Sequence, residues 1–267
     1  MSTMNFISSL LIFGLFKLGR SSEVPSFFER ESRIIGGKEV SSISSYPHQV
    51  SFQSKSNGHV CGGAIIHERA ILTARHCFDG VHDYDTKVKA GSTRLGLSIG
   101  SQTRDVERLI GHEDFNYENA ANDIGIVILK TPFRLNTKVK KIDLYKASKE
   151  ESGIAKLTGW GSTSFPETDE LSNKLMYLES EVMKSDECAQ LYKELNLHWA
   201  VTDKQMCFGG EGVGFCGGDS GAPLVCEDGS LCGIASWGFE CGIHKYPGVF
   251  TRVKGYVPWI EKHIKDL

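Results

Sequence analysis

The stretch at residues 215–224 reads Phe215-Cys216-Gly217-Gly218-Asp219-Ser220-Gly221-Ala222-Pro223-Leu224. A serine hydroxyl is a poor nucleophile unless a base takes its proton and hydrogen-bond donors stabilise the oxyanion that forms. Glycines around Ser220 let backbone N–H groups turn toward one point without Cβ interference, and those of Gly218 and Ser220 are the natural donor pair. The stretch predicts a nucleophilic serine; an ordinary surface serine in a glycine-rich turn is the alternative.

Two other segments favour the nucleophile. A histidine ends an apolar run in Leu72-Thr73-Ala74-Arg75-His76-Cys77, and an aspartate precedes one in Asn122-Asp123-Ile124-Gly125-Ile126-Val127-Ile128-Leu129. The order His76, Asp123, Ser220 along the chain is that of the chymotrypsin branch of the Ser-His-Asp triad. These residues lack metal-ligand spacing such as His-Glu-x-x-His, so neither a metal nor another cofactor is expected.

Four separated motifs resemble those of the chymotrypsin/trypsin family of serine proteases, and the resemblance covers nearly all of the chain from Ile34 onward. They are the segments around His76, Asp123 and Ser220 together with Arg33-Ile34-Ile35-Gly36-Gly37. By this resemblance Ser220 is the nucleophile, His76 is the general base and then the general acid, and Asp123 holds the imidazole tautomer. The implied activity is hydrolysis of internal peptide bonds in protein or peptide substrates through an acyl-enzyme.

Short apolar runs separated by turn residues recur along the chain and favour an all-β fold. They lie at 48–53, 63–66, 70–73, 87–91, 105–112, 124–129, 156–160, 175–183, 205–208, 223–226, 232–237 and 248–253. Helical spacing of Val257, Ile260 and Ile264 predicts a C-terminal helix. The resemblance implies two antiparallel six-stranded β-barrels, at about 34–145 and 146–267, with the active-site cleft between them.

The N-terminal residues are predicted to be removed before the enzyme acts. An apolar stretch at 6–16 is too short to span a bilayer and is typical of a secretory signal peptide at 1–22, with a buried N-terminal helix as the alternative. Residues 23–33 then form an activation peptide. By resemblance, a trypsin-like protease cuts after Arg33 and frees the Ile34 ammonium to pair with Asp219. We therefore expect a secreted, extracellular protein made as a zymogen.

Charge and composition narrow the range of partners. A net charge of -3 without a basic run gives no reason to expect binding to nucleic acid or to a membrane surface. The expected partners are protein or peptide substrates, the activating protease and protein inhibitors of proteases. Nothing in the sequence requires more than a monomer.

Eight cysteines behind an export signal indicate a disulfide framework. The resemblance implies the pairs Cys61–Cys77, Cys188–Cys207 and Cys216–Cys241. The family's usual partner for Cys226 is replaced by Ala155. Residues 226–232 are typical of a hairpin with an Asp-Gly turn, so we predict a local bridge between Cys226 and Cys232.

The primary specificity pocket is the least typical part of the chain. Trypsin-like members carry an acidic residue six positions before the nucleophile, where this chain has Gly214, so a preference for basic substrate side chains is not expected. Gly238 and Gly248 leave the pocket walls open. Phe215 shortens the pocket and favours medium apolar side chains if its ring points inward, and it admits large aromatics if the ring points outward. The segment Ser236-Trp237-Gly238 resembles the strand that pairs with the substrate backbone.

Two further departures bear on activity. Arg75 replaces a small residue beside His76, and its guanidinium must either reach water or pair with a carboxylate, for which Asp123 is a candidate. Ala222 replaces the second glycine after the nucleophile and would disturb a turn that needs a positive φ. These residues keep open a second hypothesis, a catalytically weakened protease homologue that acts as a binding or decoy protein.

Overall fold

The computed structural model describes residues 36–96, 98–162, 171–195, 201–239, 241 and 245–267. The predicted signal peptide, the activation peptide and the Arg33–Ile34 junction lie outside the described residues. The strands are β1 Lys38–Glu39, β2 Gln49–Ser54, β3 Gly58–His67, β4 Ala70–Thr73, β5 Thr86–Ala90, β6 Gln102–Gly111, β7 Gly125–Leu129, β8 Ile154–Gly159, β9 Met176–Met183, β10 Gln205–Phe208, β11 Pro223–Val225, β12 Leu231–Trp237 and β13 Gly248–Arg252. The α-helices are α1 Ser185–Glu194 and α2 Val257–Ile264.

The all-β prediction is confirmed, and each apolar run overlaps one of the strands β2–β13. Two elements were not predicted. Strand β1 has two residues, both exposed, and so carries no apolar signal. Helix α1 buries only Cys188 and Tyr192, which leaves too narrow an apolar stripe for the helical period to be recognised.

The first barrel closes in the order β2-β3-β4-β7-β6-β5, with antiparallel neighbours throughout. All residues of β4 and β7 are buried, because these strands are uniformly apolar apart from Thr73. The apolar cluster of this barrel extends to Ile234 and Ile260 of the C-terminal half. The two halves therefore share packed surface around the strands that lead to His76 and Asp123.

The second barrel runs β9-β10-β13-β12-β11-β8 and closes through the pairing of β8 with β9, while β1 extends it at β9. Its interior holds large apolar side chains, among them Leu157, Phe208 and Phe250. Two closed barrels leave few free sheet edges, which limits unwanted pairing with other chains.

The predicted C-terminal helix is confirmed at Val257–Ile264, and a 3₁₀ turn at Val253–Tyr256 precedes it. Tyr256 Oη donates a hydrogen bond of 3.0 Å to Asn122 Oδ1, directly before Asp123. Trp259 Nε1 donates one of 2.9 Å to Glu113 Oε2 in the same loop. The helix thus supports the loop that leads into Asp123. Among the described residues, no helix has the length and apolar content needed to cross a bilayer.

Four disulfides join the same cysteines that the sequence analysis pairs: Cys61–Cys77, Cys188–Cys207, Cys216–Cys241 and Cys226–Cys232. The last closes the hairpin between β11 and β12, where the N–H of Gly229 donates to the carbonyl of Cys226 at 2.9 Å. Gly229 has a φ of 82°, which a glycine adopts without steric cost. The local bridge therefore follows from the turn chemistry of the hairpin.

Candidate active site

His76 and Asp123 meet because their strands are neighbours. His76 lies in the 3₁₀ turn Arg75–Phe78 that follows β4, and Asp123 lies just before β7, which pairs with β4. Asp123 Oδ2 accepts a hydrogen bond of 2.7 Å from His76 Nδ1, and Oδ1 accepts one of 2.9 Å from the backbone N–H of His76. Because an ionised carboxylate only accepts hydrogen bonds, the bond from Nδ1 places the ring proton on that nitrogen, and the backbone bond fixes the carboxylate against the same residue.

The two side chains differ in exposure. The Asp123 side chain is 1% exposed and that of His76 is 31% exposed, so the imidazole alone is accessible. Ser236 Oγ donates a further hydrogen bond of 2.6 Å to Asp123 Oδ2, a contact that the sequence analysis missed when it assigned Ser236 only to the substrate strand. A buried carboxylate needs such donors because an unsatisfied charge is costly.

The environment of His76 changes its basicity. Burial lowers the pKa of the imidazole, but the hydrogen bond and the charge of Asp123 outweigh burial, so the pKa lies above its usual value of 6.5. The carboxylate stabilises the imidazolium that forms when the ring accepts a proton. This residue is therefore equipped to act as a base near neutral pH.

The loop that carries Ser220 packs onto the first barrel at Gly62 and at Thr73, the last residue of β4. The carbonyl of Ser220 accepts a hydrogen bond of 2.8 Å from Gly62 N–H. Gly221 has a φ of 74°, and a Cβ there would lie 2.1 Å from Thr73 Oγ1 at the end of β4. Only glycine fits this close approach. In the described part of the chain Ser220 Oγ makes no hydrogen bond with His76; such contacts often tighten only when substrate binds.

The backbone before Ser220 has the features of an anion site. Gly218 has a φ of 89°, and its N–H and that of Ser220 donate to no acceptor within the described ranges. The carbonyl of Gly218 accepts a hydrogen bond of 2.9 Å from His59 Nε2, while Ser51 Oγ lies 2.7 Å from His59 Nδ1. Desolvation lowers the pKa of His59 to about 4, so the ring is neutral and donates from Nε2. The sequence analysis missed His59, whose only signal is a histidine next to an apolar strand segment.

Asp219, the neighbour of Ser220, is completely buried. Its Oδ1 accepts a hydrogen bond of 2.7 Å from Gly161 N–H and its Oδ2 one of 3.2 Å from Cys216 N–H. Burial raises the pKa of Asp219 to about 7, and the two backbone donors only partly oppose the rise. A cation beside this carboxylate would remove most of the cost of its charge.

One group of side chains near His76 has the spacing of metal ligands. Among the described residues, ligand atoms of Cys61, His76 and Cys77 come within 4.8 Å of one another. Both sulfurs are joined to each other in a disulfide, so they cannot act as thiolate ligands.

Comparison with known proteins identifies the family. The Trypsin family model matches residues 34–260, most of the chain. The chain belongs to the trypsin family. It is 32% identical to "Trypsin" of Sarcophaga bullata over 258 residues, which cover 97% of this chain and 98% of that protein. It is 32% identical to "Trypsin beta" of Drosophila erecta over 86% of this chain and 88% of that protein, and 33% identical to "Trypsin zeta" of the same organism over 98% of both. The protein is a serine endopeptidase that acts on protein substrates.

The ring of Phe215 lies against both glycines that the sequence predicts as walls of the primary pocket. A Cβ at Gly248 would lie 2.4 Å from Phe215 Cε1, and one at Gly238 would lie 3.8 Å from Phe215 Cζ. The ring also packs edge-on against Phe250, with 5.1 Å between centroids and 74° between planes. The ring of Phe215 is therefore turned toward Gly238 and Gly248. The neighbouring Gly214 is buried and brings no charge.

The two departures that favoured a non-catalytic protein are accommodated. Arg75 forms an ion pair with Asp79, and its contacts among the described residues include none with Asp123, the candidate partner named from the sequence. Ala222 does not have a positive φ, so its Cβ causes no backbone strain. It fits because Gly62 faces it; a Cβ at Gly62 would lie 2.8 Å from Ala222 Cα.

Proposed function

We propose that the protein is a secreted trypsin-family endopeptidase, made as a precursor, in which Ser220 is the nucleophile, His76 the general base and Asp123 the orienting carboxylate. The observation that carries this proposal is the paired hydrogen bonding of His76 to Asp123 beside the tightly packed Ser220 loop. A protein that served only for binding would not need a buried carboxylate aligned on an accessible imidazole.

The reaction proceeds in two halves. His76 Nε2 takes the Ser220 proton as Oγ bonds to the substrate carbonyl carbon, and the carbonyl π electrons move to the oxygen. The N–H groups of Gly218 and Ser220 donate to this oxyanion. When the tetrahedral intermediate collapses, the C–N bond breaks and the amine leaves with the proton from His76. Water then attacks the acyl carbon while His76 takes its proton. When this second intermediate collapses, the bond between the acyl carbon and Ser220 Oγ breaks, His76 returns the proton to Oγ, and the acid product leaves.

The substrate preference is proposed to be chymotrypsin- or elastase-like. Gly214 offers no carboxylate to pair with a basic side chain, and the Phe215 ring occupies space between the glycines that line the pocket. A shortened apolar pocket favours medium side chains such as Leu or Met over Trp, Arg or Lys. Residues 236–238 pair with the substrate backbone as an added strand.

Activation is proposed to follow cleavage after Arg33. The new ammonium of Ile34 pairs with Asp219, a carboxylate whose burial raises its pKa to about 7. The ion pair holds the adjacent Gly218–Ser220 backbone in the conformation that binds the oxyanion. Cleavage therefore links a covalent change at the N-terminus to the reactivity of Ser220.

The proposed organisation is a signal peptide at 1–22, an activation peptide at 23–33 and a protease domain at 34–267 with its barrels at about 34–145 and 146–267. Four disulfides support export, because such bonds persist in oxidising compartments. The enzyme is proposed to act as an extracellular monomer, to be activated by a trypsin-like protease and to be regulated by protein inhibitors.

Labelling of the nucleophile tests the proposal. The protein is cut after Arg33 and exposed to a fluorophosphonate, with Ser220→Ala as the matched control. We expect covalent labelling at Ser220 in the wild type and none in the control. An unlabelled wild type would favour a binding role instead.

A mixed peptide library tests the substrate preference. Cleavage is expected after Leu, Met, Phe or Tyr, and dominant cleavage after Arg or Lys would refute the pocket assignment.

A further inference from the structure

The guanidinium of Arg75 joins two loops beside the active site. It pairs with Asp79 Oδ1, and its Cζ lies 5.1 Å from the ring centroid of Phe115 and 5.3 Å from that of Tyr117. Tyr117 Oη donates a hydrogen bond of 3.0 Å to the same oxygen of Asp79. The stem of Arg75 crosses Gly111, where a Cβ would lie 2.7 Å from Cγ. We call Arg75, Asp79, Phe115 and Tyr117 the Arg75 clamp.

The clamp connects the segments that carry His76 and Asp123. Arg75 and Asp79 flank His76, and the two aromatic rings belong to the loop 112–122 that leads into Asp123. This loop contains Ala120 at φ 51° and Asn122 at φ 59°. Non-glycine residues in this region persist when surrounding contacts hold them there. The C-terminal helix supplies such contacts on one side of the loop, and the clamp supplies them on the other.

We propose that Arg75 is a positioning residue that fastens the His76 turn to the loop 112–122 and so maintains the geometry of the His76–Asp123 hydrogen bonds. The inference rests on the proposed function of these two residues. An arginine suits the role because its planar guanidinium contacts aromatic faces while it pairs with a carboxylate. A lysine keeps the charge but has no planar group to lie against two rings.

The charges of the clamp should change the pH dependence of activity, which a purely structural role would not do. The charged groups that face His76 are Asp123 and Asp79, which raise the pKa of the imidazole, and Arg75, which lowers it. The base must be neutral, so activity falls as pH decreases through this pKa. Removing Arg75 raises the pKa of His76 and moves the acid limb of the curve of kcat/KM against pH to higher pH. Removing the charge of Asp79 lowers the pKa and moves the limb to lower pH.

The test uses the full-length protein cut after Arg33, with kcat/KM measured against pH on a peptide ending in a leucine amide reporter. Arg75→Ala is expected to lower kcat/KM about tenfold, a coupling of usual size for contacting residues, and to move the acid limb upward. Arg75→Lys should restore the limb position but only part of the rate. Asp79→Asn should move the limb downward. Arg104→Ala, which removes a guanidinium 5.3 Å from the Phe133 ring on the same barrel, should match the wild type.

Several outcomes would overturn the inference. Arg75→Ala and Asp79→Asn that both keep the wild-type rate and acid limb would show that the clamp is an ordinary surface contact. Equal losses in Arg75→Ala and Arg104→Ala would show the same. Thermal unfolding shows whether Arg75→Ala folds. If it does not, Tyr117→Phe tests the inference instead, because it removes only one hydroxyl and should still lower kcat/KM a few-fold. A wild type that does not label with fluorophosphonate would defeat the proposed function, whereas a labelled wild type with indifferent variants would defeat only the clamp.

Discussion

The His76–Asp123 pair and the surroundings of Phe215 are held together by different kinds of interaction. His76 and Asp123 are joined by two hydrogen bonds, and Ser236 adds a third to the same carboxylate. The Phe215 ring, in contrast, lies against two glycines and packs edge-on against Phe250. Hydrogen bonds between buried groups admit few arrangements, whereas an apolar wall can change size without leaving a polar group unsatisfied. The comparison implies that the chemistry is sensitive to small polar changes and that the substrate preference is adjustable.

The largest effect is expected for Asp123→Asn. The amide keeps the shape of the side chain but favours the wrong imidazole tautomer, so kcat should fall about 10⁴-fold, a magnitude taken from the trypsin-family triad itself. Steady-state kinetics on the activated enzyme measure this loss of kcat, and the Ser220→Ala variant gives the background rate. A variant within tenfold of the wild type would mean that the polar pair is as tolerant as the pocket.

Asp219→Asn should give the next largest effect. The substitution removes the negative charge that is proposed to attract the Ile34 ammonium, and breaking one side of a buried ion pair corresponds to a loss on the order of 10²- to 10³-fold. Activity is measured before and after cleavage at Arg33. The control is Asp228→Asn in the exposed hairpin, which should leave the gain on cleavage unchanged. If cleavage at Arg33 raised the activity of Asp219→Asn as much as that of the wild type, activation would not depend on this carboxylate.

Phe215→Ala should change selectivity more than chemistry. Removing the ring lengthens the pocket, so the ratio of kcat/KM for Trp over Leu substrates should rise about 10- to 100-fold. Phe215→Leu should fall between the two enzymes, and fluorophosphonate labelling of Ser220 should be nearly unchanged in both. A library profile that did not move would show that this wall does not contact the substrate.

The smallest expected effect is the shift of the acid limb in the curve of kcat/KM against pH for the wild type. Because the pKa of His76 is raised above 6.5, kcat/KM should decline as pH falls through a value higher than 6.5. Below that value the protonated ring cannot act as a base, and the decline approaches about tenfold per pH unit. An acid limb clearly below 6.5 would show that Asp123 does not stabilise the imidazolium as its hydrogen bonds imply.

Local chemistry explains what could be predicted. The apolar runs predicted strands β2–β13 because alternating or continuous apolar residues bounded by turns have few other uses. The serine in its glycine-rich loop, the histidine and the aspartate were assigned from their neighbours and their order. The Asp-Gly turn predicted the hairpin that brings Cys226 to Cys232. Apart from the order of the three site residues, each of these signals comes from residues near one another in the chain.

The tertiary structure alone decided the contacts between distant residues. Ser236 reaches Asp123 across 113 positions, and His59 reaches the carbonyl of Gly218 across 159. The sequence left open whether Arg75 reaches water or pairs with a carboxylate, and which way the Phe215 ring turns. A side chain has several rotamers, and the one it adopts depends on the atoms that the fold brings against it.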